Sequence, residues 1–538
     1  MFSDVLRLLR AAGFSPRGAG ITVASATFVD SRRLKPAARR NDTWRVPFLL
    51  TVILVTLLGA AARWGYLDYP MRYDESWNHL RFGSRSLWHI VTHYEPNNHV
   101  LHTLFARVAV AFLGTSPAAV RLPSFVAGVA LIPLTGWLAW SLFHRRGVVL
   151  LAMLAAAGSS PLIEYSANSR GYSMMGVFAA LAAICTLHLA RDPAKRRLWA
   201  LWGVLGALGV YSHASMIYPM AALSCTLFLQ ALRGSRAGIE RRPMVLGLCL
   251  GVTVWIVVTS ALFLPALTTQ SVAGIYRALT TVPYDVYRAW LELHGTVPAT
   301  VWQSWIRHTN TIWQVVLIAG FAAFVISALR RPVAGYVVPF SLFLILPIIV
   351  LVQNVPLVPP GWIFALPLFL ACSMYGASVW AVLISQRILR RVASVVSILL
   401  IVASGGLSLA TASRQPYLSV WEHELVDIEP ILDECESYGT QRCSLIVQFT
   451  PSYLYYIRER GMDHPLTPDS GDAQRVYIAA TTLKSLSELW HKGVSGFARY
   501  DAPRVWKKFS RSTLYVAKRI KHADVERNSA PSLVAHRP

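Results

Sequence analysis

About eleven apolar runs, each close to the length needed to cross a bilayer, follow one another along this 538-residue chain. They occupy residues 46–64, 122–143, 148–163, 172–190, 198–211, 216–232, 244–265, 311–329, 335–352, 362–384 and 392–413. No water reaches the hydrocarbon core, so every backbone N–H and C=O there must find its partner within the protein, which leaves helices as the form for runs of about 20 residues. The predicted fold class is therefore mainly α, a polytopic membrane bundle of about eleven transmembrane helices. The chain is 54% hydrophobic and 14% charged. Soluble domains carry charge on roughly a quarter of their residues, so a soluble fold is excluded.

Residues 99–114 form a further apolar stretch, but it is short and carries His99, His102 and Arg107. Leu101, Leu104, Phe105 and Val108 recur at helical spacing, the pattern of a helix lying in the interface. Charge placement agrees. With this stretch left out of the crossings and the start of the chain inside, all the short basic clusters fall on one side: Arg145-Arg146, Lys195-Arg196-Arg197, Arg241-Arg242, Arg330-Arg331 and Arg390-Arg391. Topology thus accounts for most of the net charge of +24, and anionic lipid headgroups, with no nucleic acid, are the expected partners of those loops.

Residues 1–45 read as a cytoplasmic arm and 46–413 as the membrane domain, with outer loops at 65–121, 164–171 and 266–310. Beyond 413 the composition changes, and alternating helical and strand patterns predict a small α/β domain over 414–538, outside the membrane. Strands are expected at 444–449, 475–480 and 513–517, and helices at 421–437, 451–460 and 483–491. Its Cys435 and Cys443 lie outside any apolar span, and in an oxidising compartment the two are expected to pair as a disulfide.

The outer side gathers the unusual polar residues. Asp74, Glu75, Glu95, Asn97, Asn98, His99 and His102 follow the first crossing; Glu164, Asn168, Arg170 and Tyr172 follow the third; His213 follows the fifth. Asp285, Glu292 and His294 lie in the long loop 266–310. Acids beside Tyr73, Trp77, Trp88 and Tyr94 suit a sugar site at a membrane interface. Gly203, Gly206 and Gly209 lie inside an apolar run with no following Lys-Ser or Lys-Thr, so they read as helix packing and not as a phosphate loop.

Four motifs in order carry a resemblance: the Asp74-Glu75 pair, Glu95-Pro96-Asn97-Asn98-His99, Arg121-Leu122-Pro123-Ser124, and Tyr165 through Tyr172. Together they resemble the C-type glycosyltransferases, and most closely the glycosyltransferase family 39 and aminoarabinose-transferase branch, whose sugar donor is a polyprenyl phosphate. The chain departs from the pattern in having Arg170-Gly171-Tyr172 where Arg-Pro-Tyr is common, and Asn97-Asn98 where a proline-rich pair is common. The resemblance implies a multi-pass enzyme of a bacterial inner membrane that transfers a sugar from a polyprenyl-phosphate donor to a lipid, glycan or protein acceptor at the outer face.

Such chemistry needs a carboxylate beside the acceptor hydroxyl and a cation beside the leaving phosphate. The expected base is Asp74, the first of the pair as the resemblance favours, with Glu75 orienting substrate or metal. Arg170 and Tyr172 are expected at the donor phosphate. Glu95, Asn98, His99, His102, Glu164 and His213 are candidate substrate or metal contacts; magnesium or manganese would suit the carboxylates, and zinc a Glu with a His. Two other classes fit less well. A transporter or flippase of a lipid-linked sugar would carry ionisable residues near the bilayer midplane, and the apolar runs from Tyr172 onward hold no Asp, Glu, Lys or Arg. A catalytically silent scaffold would make the first-loop acids dispensable.

Overall fold

A computed structural model of the chain describes residues 45–233, 241–276, 297–306, 309–330, 336–345 and 359–379, and then 427–437, 443–447, 450–462, 475–480, 502–509 and 512–518, with a few single positions between. The membrane part contains α1 (Arg45–Trp64), α2 (Tyr73–Asn78), α3 (Leu87–Thr92), α4 (Val100–Leu113), α5 (Pro117–Phe143), α6 (Arg146–Ala157) and α7 (Ser160–Ser166). It continues with α8 (Tyr172–Leu189), α9 (Arg196–Ser212), α10 (Ile217–Arg233), α11 (Arg241–Thr269), α12 (Val297–Ile306), α13 (Thr311–Arg330) and α14 (Leu366–Val379). Among the described residues seven helices are long and apolar enough to cross a membrane, or eight if the bent pair α6 and α7 counts as one crossing. This is a multi-pass membrane protein. The expected runs at 335–352 and 392–413 lie largely outside the described residues. Helix α4 has 14 residues, about 21 Å, and so is too short to cross on its own, as its sequence predicts.

Helix α1 exposes Leu49, Leu50, Ile53, Leu54, Leu57 and Leu58, as a helix facing lipid does. The central helices pack more closely, through small residues. A Cβ added at Gly203 would meet the Gly251 carbonyl at 2.5 Å, and one at Gly376 the Gly320 carbonyl at 1.7 Å. In α9, Gly203 therefore packs against α11, Gly206 against both α10 and α11, and Gly209 against Met216, while the α13 and α14 backbones touch as Gly203 and Gly251 do.

The third apolar run is broken. Read from hydropathy it is one span, but α6 and α7 meet at a 60° bend across Gly158 and Ser159, with Pro161 in the first turn of α7. The break leaves the last carbonyls of α6 without helical partners, and Arg63, at the end of α1, supplies them. Its guanidinium donates to the Ala156 carbonyl at 3.0 Å, the Ala157 carbonyl at 3.1 Å and Ser166 Oγ at 3.0 Å. Replacing Arg63 with Met strands these buried carbonyls, at roughly 1–3 kcal/mol each. Arg63→Met should therefore lower the thermal midpoint in detergent by several degrees, and an unchanged midpoint would refute the clasp.

The last part of the chain holds α15 (Ile428–Ser437), β1 (Cys443–Val447), α16 (Thr450–Glu459), β2 (Arg475–Ala480), β3 (Arg504–Lys508) and β4 (Thr513–Lys518). The sheet order is β1-β2-β4-β3, with β1 and β2 parallel and the other pairs antiparallel. Strand β3 was not expected: all five positions are exposed, so it carries no alternation of apolar and polar residues. The expected helix at 483–491 lies mostly outside the described residues. The expected Cys435–Cys443 disulfide is not supported: the Cys443 side chain lies outside the described residues, and among those residues no disulfide is seen at Cys435. Helix α15 turns it into an apolar cluster with Leu432, Val447 and Tyr453, where it serves as a small buried side chain.

That cluster also takes in Met71, Val110, Ala119 and Val120 from the membrane part. Helix α16 rests on α2. The Met71 backbone N–H donates to the Tyr456 hydroxyl at 3.0 Å, the Tyr455 hydroxyl donates to the Thr115 carbonyl, and the Tyr455 ring meets His79 edge-on.

Candidate active site

The segment joining α1 to α2 has no regular structure to satisfy its carbonyls, and one side chain from α5 does so. Arg121, almost wholly buried, donates through Nη1 to the carbonyls of Tyr66 (3.2 Å), Leu67 (2.9 Å) and Tyr69 (2.5 Å), and through Nη2 to that of Pro70 (3.0 Å). The same guanidinium grips both oxygens of Glu75, Nε to Oε1 at 2.9 Å and Nη2 to Oε2 at 2.6 Å. Glu75 Oε1 also accepts from the Ser169 N–H, and Oε2 from the Arg72 N–H at 2.9 Å, which caps the start of α2. Burial alone would raise the Glu75 pKa, but the Arg121 charge outweighs it and holds the carboxyl below its ordinary value.

Glu75 is 0% exposed and all four of its acceptor directions are in use. It is the pin of the loop, with nothing left to offer a substrate or a metal ion.

Asp74, its neighbour, faces outward. Its side chain is 57% exposed and pairs with Nη1 of Arg170, whose own side chain is 11% exposed. Arg170 is held from three sides: Nε donates to His99 Nε2 at 3.0 Å, the guanidinium lies 5.4 Å over the Tyr172 ring, and Ser124 Oγ donates to its carbonyl at 2.9 Å. Burial would lower the pKa of Arg170, yet Tyr172, Asp74, Tyr165 and Glu75 together raise it, so the charge is permanent.

His99 spends both ring nitrogens, Nδ1 toward the Ser212 carbonyl at 3.2 Å and Nε2 on Arg170. Those partners assign the proton to Nδ1 and a neutral ring. Burial and the Arg170 charge push its pKa well below 6.5. His213 lies 4.8 Å from His99 and 4.7 Å from Tyr172, ring to ring, and burial and Arg170 lower it to about 3. Gly171 is required here, since a Cβ would meet the Ser212 carbonyl at 2.0 Å. That contact gives a physical reason for glycine in this Arg-Gly-Tyr sequence.

The structure thus gathers Asp74, Glu75, His99, Arg170, Tyr172 and His213 from four separate stretches. Glu164 joins them through Arg72, at 2.9 Å, so Arg72, Arg121 and Arg170 balance Asp74, Glu75 and Glu164. His102 is buried beside the group, lowered to about 3 mainly by burial, and neither ring nitrogen has a hydrogen-bond partner among the described residues. Glu95 and Asn98 stand apart. Glu95 pairs with Arg81 at 2.5 Å, and Asn98 donates to the Ile90 and His93 carbonyls at 3.0 and 2.8 Å, holding the loop. Asp285, Glu292 and His294 lie outside the described residues.

Arg72 and the clamping role of Arg121 escape a sequence reading. Arg121 is visible there only as part of a motif, because its partners lie 46 to 55 positions away. As for a metal, no group of three His, Cys, Asp or Glu side chains among the described residues is placed to hold one. Two of the candidate donors, Glu75 and His99, are committed to arginines.

The fold that holds the bent crossing, the buried arginine clamp and the exposed carboxylate is similar to that of solved membrane-transferase structures. The structure is similar to ArnT from Cupriavidus metallidurans in the apo state, with a TM-score of 0.51 and 13% identity over 88% of this chain and 97% of that one. The same enzyme bound to undecaprenyl phosphate gives 0.50 and 14% over 88% and 98%. The archaeal oligosaccharyltransferase AglB from Archaeoglobus fulgidus, in complex with an inhibitory peptide and a dolichol-phosphate, gives 0.50 and 11% over 88% and 74%. No protein-family model and no curated protein matches the sequence. At these identities the likeness is one of fold.

Proposed function

We propose that this protein transfers a sugar from a polyprenyl-phosphate donor to an acceptor hydroxyl at the outer face of the membrane. The observation that carries the reading is the pairing of an exposed carboxylate, Asp74, with a buried and permanently charged guanidinium, Arg170, in a fold shared with a structure that binds undecaprenyl phosphate. Asp74 takes the acceptor proton as the acceptor oxygen bonds to the anomeric carbon. The bond from that carbon to the phosphate oxygen breaks, and its electron pair leaves on the phosphate beside Arg170. Tyr172 and the neutral His99 keep the guanidinium aimed, and Glu75 holds the helix that presents Asp74. The reading is tested with purified protein in proteoliposomes given a labelled polyprenyl-phosphate sugar extract and an envelope extract. Label should pass into a new glycosidic product; flux of label across the bilayer without product would point to transport.

Arg170→Lys keeps a charge but loses the planar fork, which serves Asp74 and His99 at once. Transfer should fall by about 10² to 10³, the usual loss for one donor to a developing anion, with normal amounts of protein in the membrane. Full activity in this variant would remove Arg170 from the phosphate site.

The proposed topology has about eleven crossings, the start of the chain in the cytoplasm, and the sheet-bearing unit outside, in a bacterial inner membrane. A cysteine placed at Ser470 should react with an impermeant maleimide in intact cells. Reaction only after permeabilisation would reverse the orientation.

A further inference from the structure

The face that α2 turns outward carries two aromatic rings and the proposed base. Tyr73 is 41% exposed and Trp77 36%, and their rings lie within 12° of parallel with centroids 6.3 Å apart. They sit at i and i+4 with Asp74 on the same stripe, while Glu75, Ser76 and Asn78 point into the protein. One turn further on, Arg81 places its Cζ 5.5 Å over the Trp77 ring, and Glu95 grips that arginine. The Asn97 side chain donates to the Asp74 carbonyl at 3.2 Å, which ties the Glu95 segment to α2.

We propose that Tyr73, Trp77, Arg81 and Glu95 form the acceptor subsite, and that the acceptor is itself a sugar, borne on a glycan or a glycolipid. The proposal rests on the glycosyl-transfer reading above and deepens it.

Three features of this surface select a sugar. A pyranose has an apolar C–H face ringed by hydroxyl groups, and aromatic side chains bordered by a guanidinium and a carboxylate offer the matching apolar patch and polar rim. The surface is unlike another part of the same loop, where Leu87, Phe105, Val108, Phe112 and Leu113 are exposed; the outward face of α2 holds no aliphatic side chain. The subsite is also continuous with Asp74, so a sugar resting on Tyr73 and Trp77 brings a hydroxyl to the one exposed carboxylate of the cluster.

The experiment uses full-length protein in proteoliposomes with a labelled polyprenyl-phosphate sugar extract, and two acceptor preparations, envelope glycans with glycolipids and envelope proteins. Wild-type protein should label the first, in a product that survives protease. Trp77→Ala and Tyr73→Ala should each raise the KM for that acceptor about tenfold, while kcat and the KM for the donor change less than twofold. Trp77→Phe should recover part of the loss. Glu95→Gln leaves both rings in place and should raise the acceptor KM by a smaller factor. A protease-sensitive product, or an unchanged acceptor KM in both alanine variants, overturns the subsite and leaves glycosyl transfer standing. Absence of transfer to either preparation by wild-type protein overturns both readings.

Discussion

Purified Asp74→Asn should insert, fold and bind donor as the wild type does, yet transfer sugar about 10² to 10⁴ times more slowly, the range over which general-base help acts. Asparagine matches aspartate in shape and can still accept a hydrogen bond from Arg170, so the geometry around α2 survives. What it cannot do is take a proton. The Asp74 side chain is more than half exposed, so water offsets part of the charge removed beside the buried Arg170, and asparagine keeps a contact to it. The comparison of rate and melting temperature is therefore clean. A near-normal rate in Asp74→Asn eliminates Asp74 as the base, while a lowered melting temperature would make it a structural residue.

The second large effect is expected at the neighbouring acid and has the opposite character. Glu75→Gln or Arg121→Met breaks a fully buried ion pair, and removing one member of such a pair costs about 3–5 kcal/mol because the other charge is left uncompensated. Arg121→Met also strands the carbonyls of Tyr66, Leu67, Tyr69 and Pro70. Both variants should lose thermal stability and reach the membrane in reduced amount, with activity per folded molecule falling as α2 loosens. The pH dependence has a definite sign. The Glu75 pKa is lowered on folding, so its contribution is complete above the unfolded value near 4.5 and is lost as pH falls through the folded value. Unfolding measured across pH 3 to 6 should show an acid-side slope in the wild type that is smaller in Glu75→Gln. Wild-type stability in Glu75→Gln would refute the pin.

These two acids show what a sequence can and cannot reveal. Hydropathy located the helices well: the runs at 46–64 and 172–190 are close to α1 and α8, and the stretch at 99–114 is the short helix α4. Burial in lipid leaves a long, local imprint on composition. The bend between α6 and α7 left less, since Pro161 marks a break but its partner Arg63 lies almost a hundred positions earlier. The family resemblance singles out Asp74 from its neighbour, but the buried pinning of Glu75 comes from tertiary contacts of Arg72, Arg121 and Ser169 that the sequence does not show. For the same reason Glu95 and Asn98 look alike as candidates in the sequence, while tertiary contacts place one on Arg81, beside Trp77, and the other on the carbonyls of a turn.

The bond from Met71 to Tyr456 joins residues 385 positions apart, and the rest of the α16 seat on α2 spans a similar separation. A ribosome adding about 5–20 residues per second needs on the order of tens of seconds to travel that distance. Throughout that interval the loop that carries Asp74 and Glu75 is already made, and its final support is not. The seat therefore orders events in time: the loop that presents Asp74 settles only when the late segment arrives, and a chain released early from translation carries the acids without the helix that steadies them.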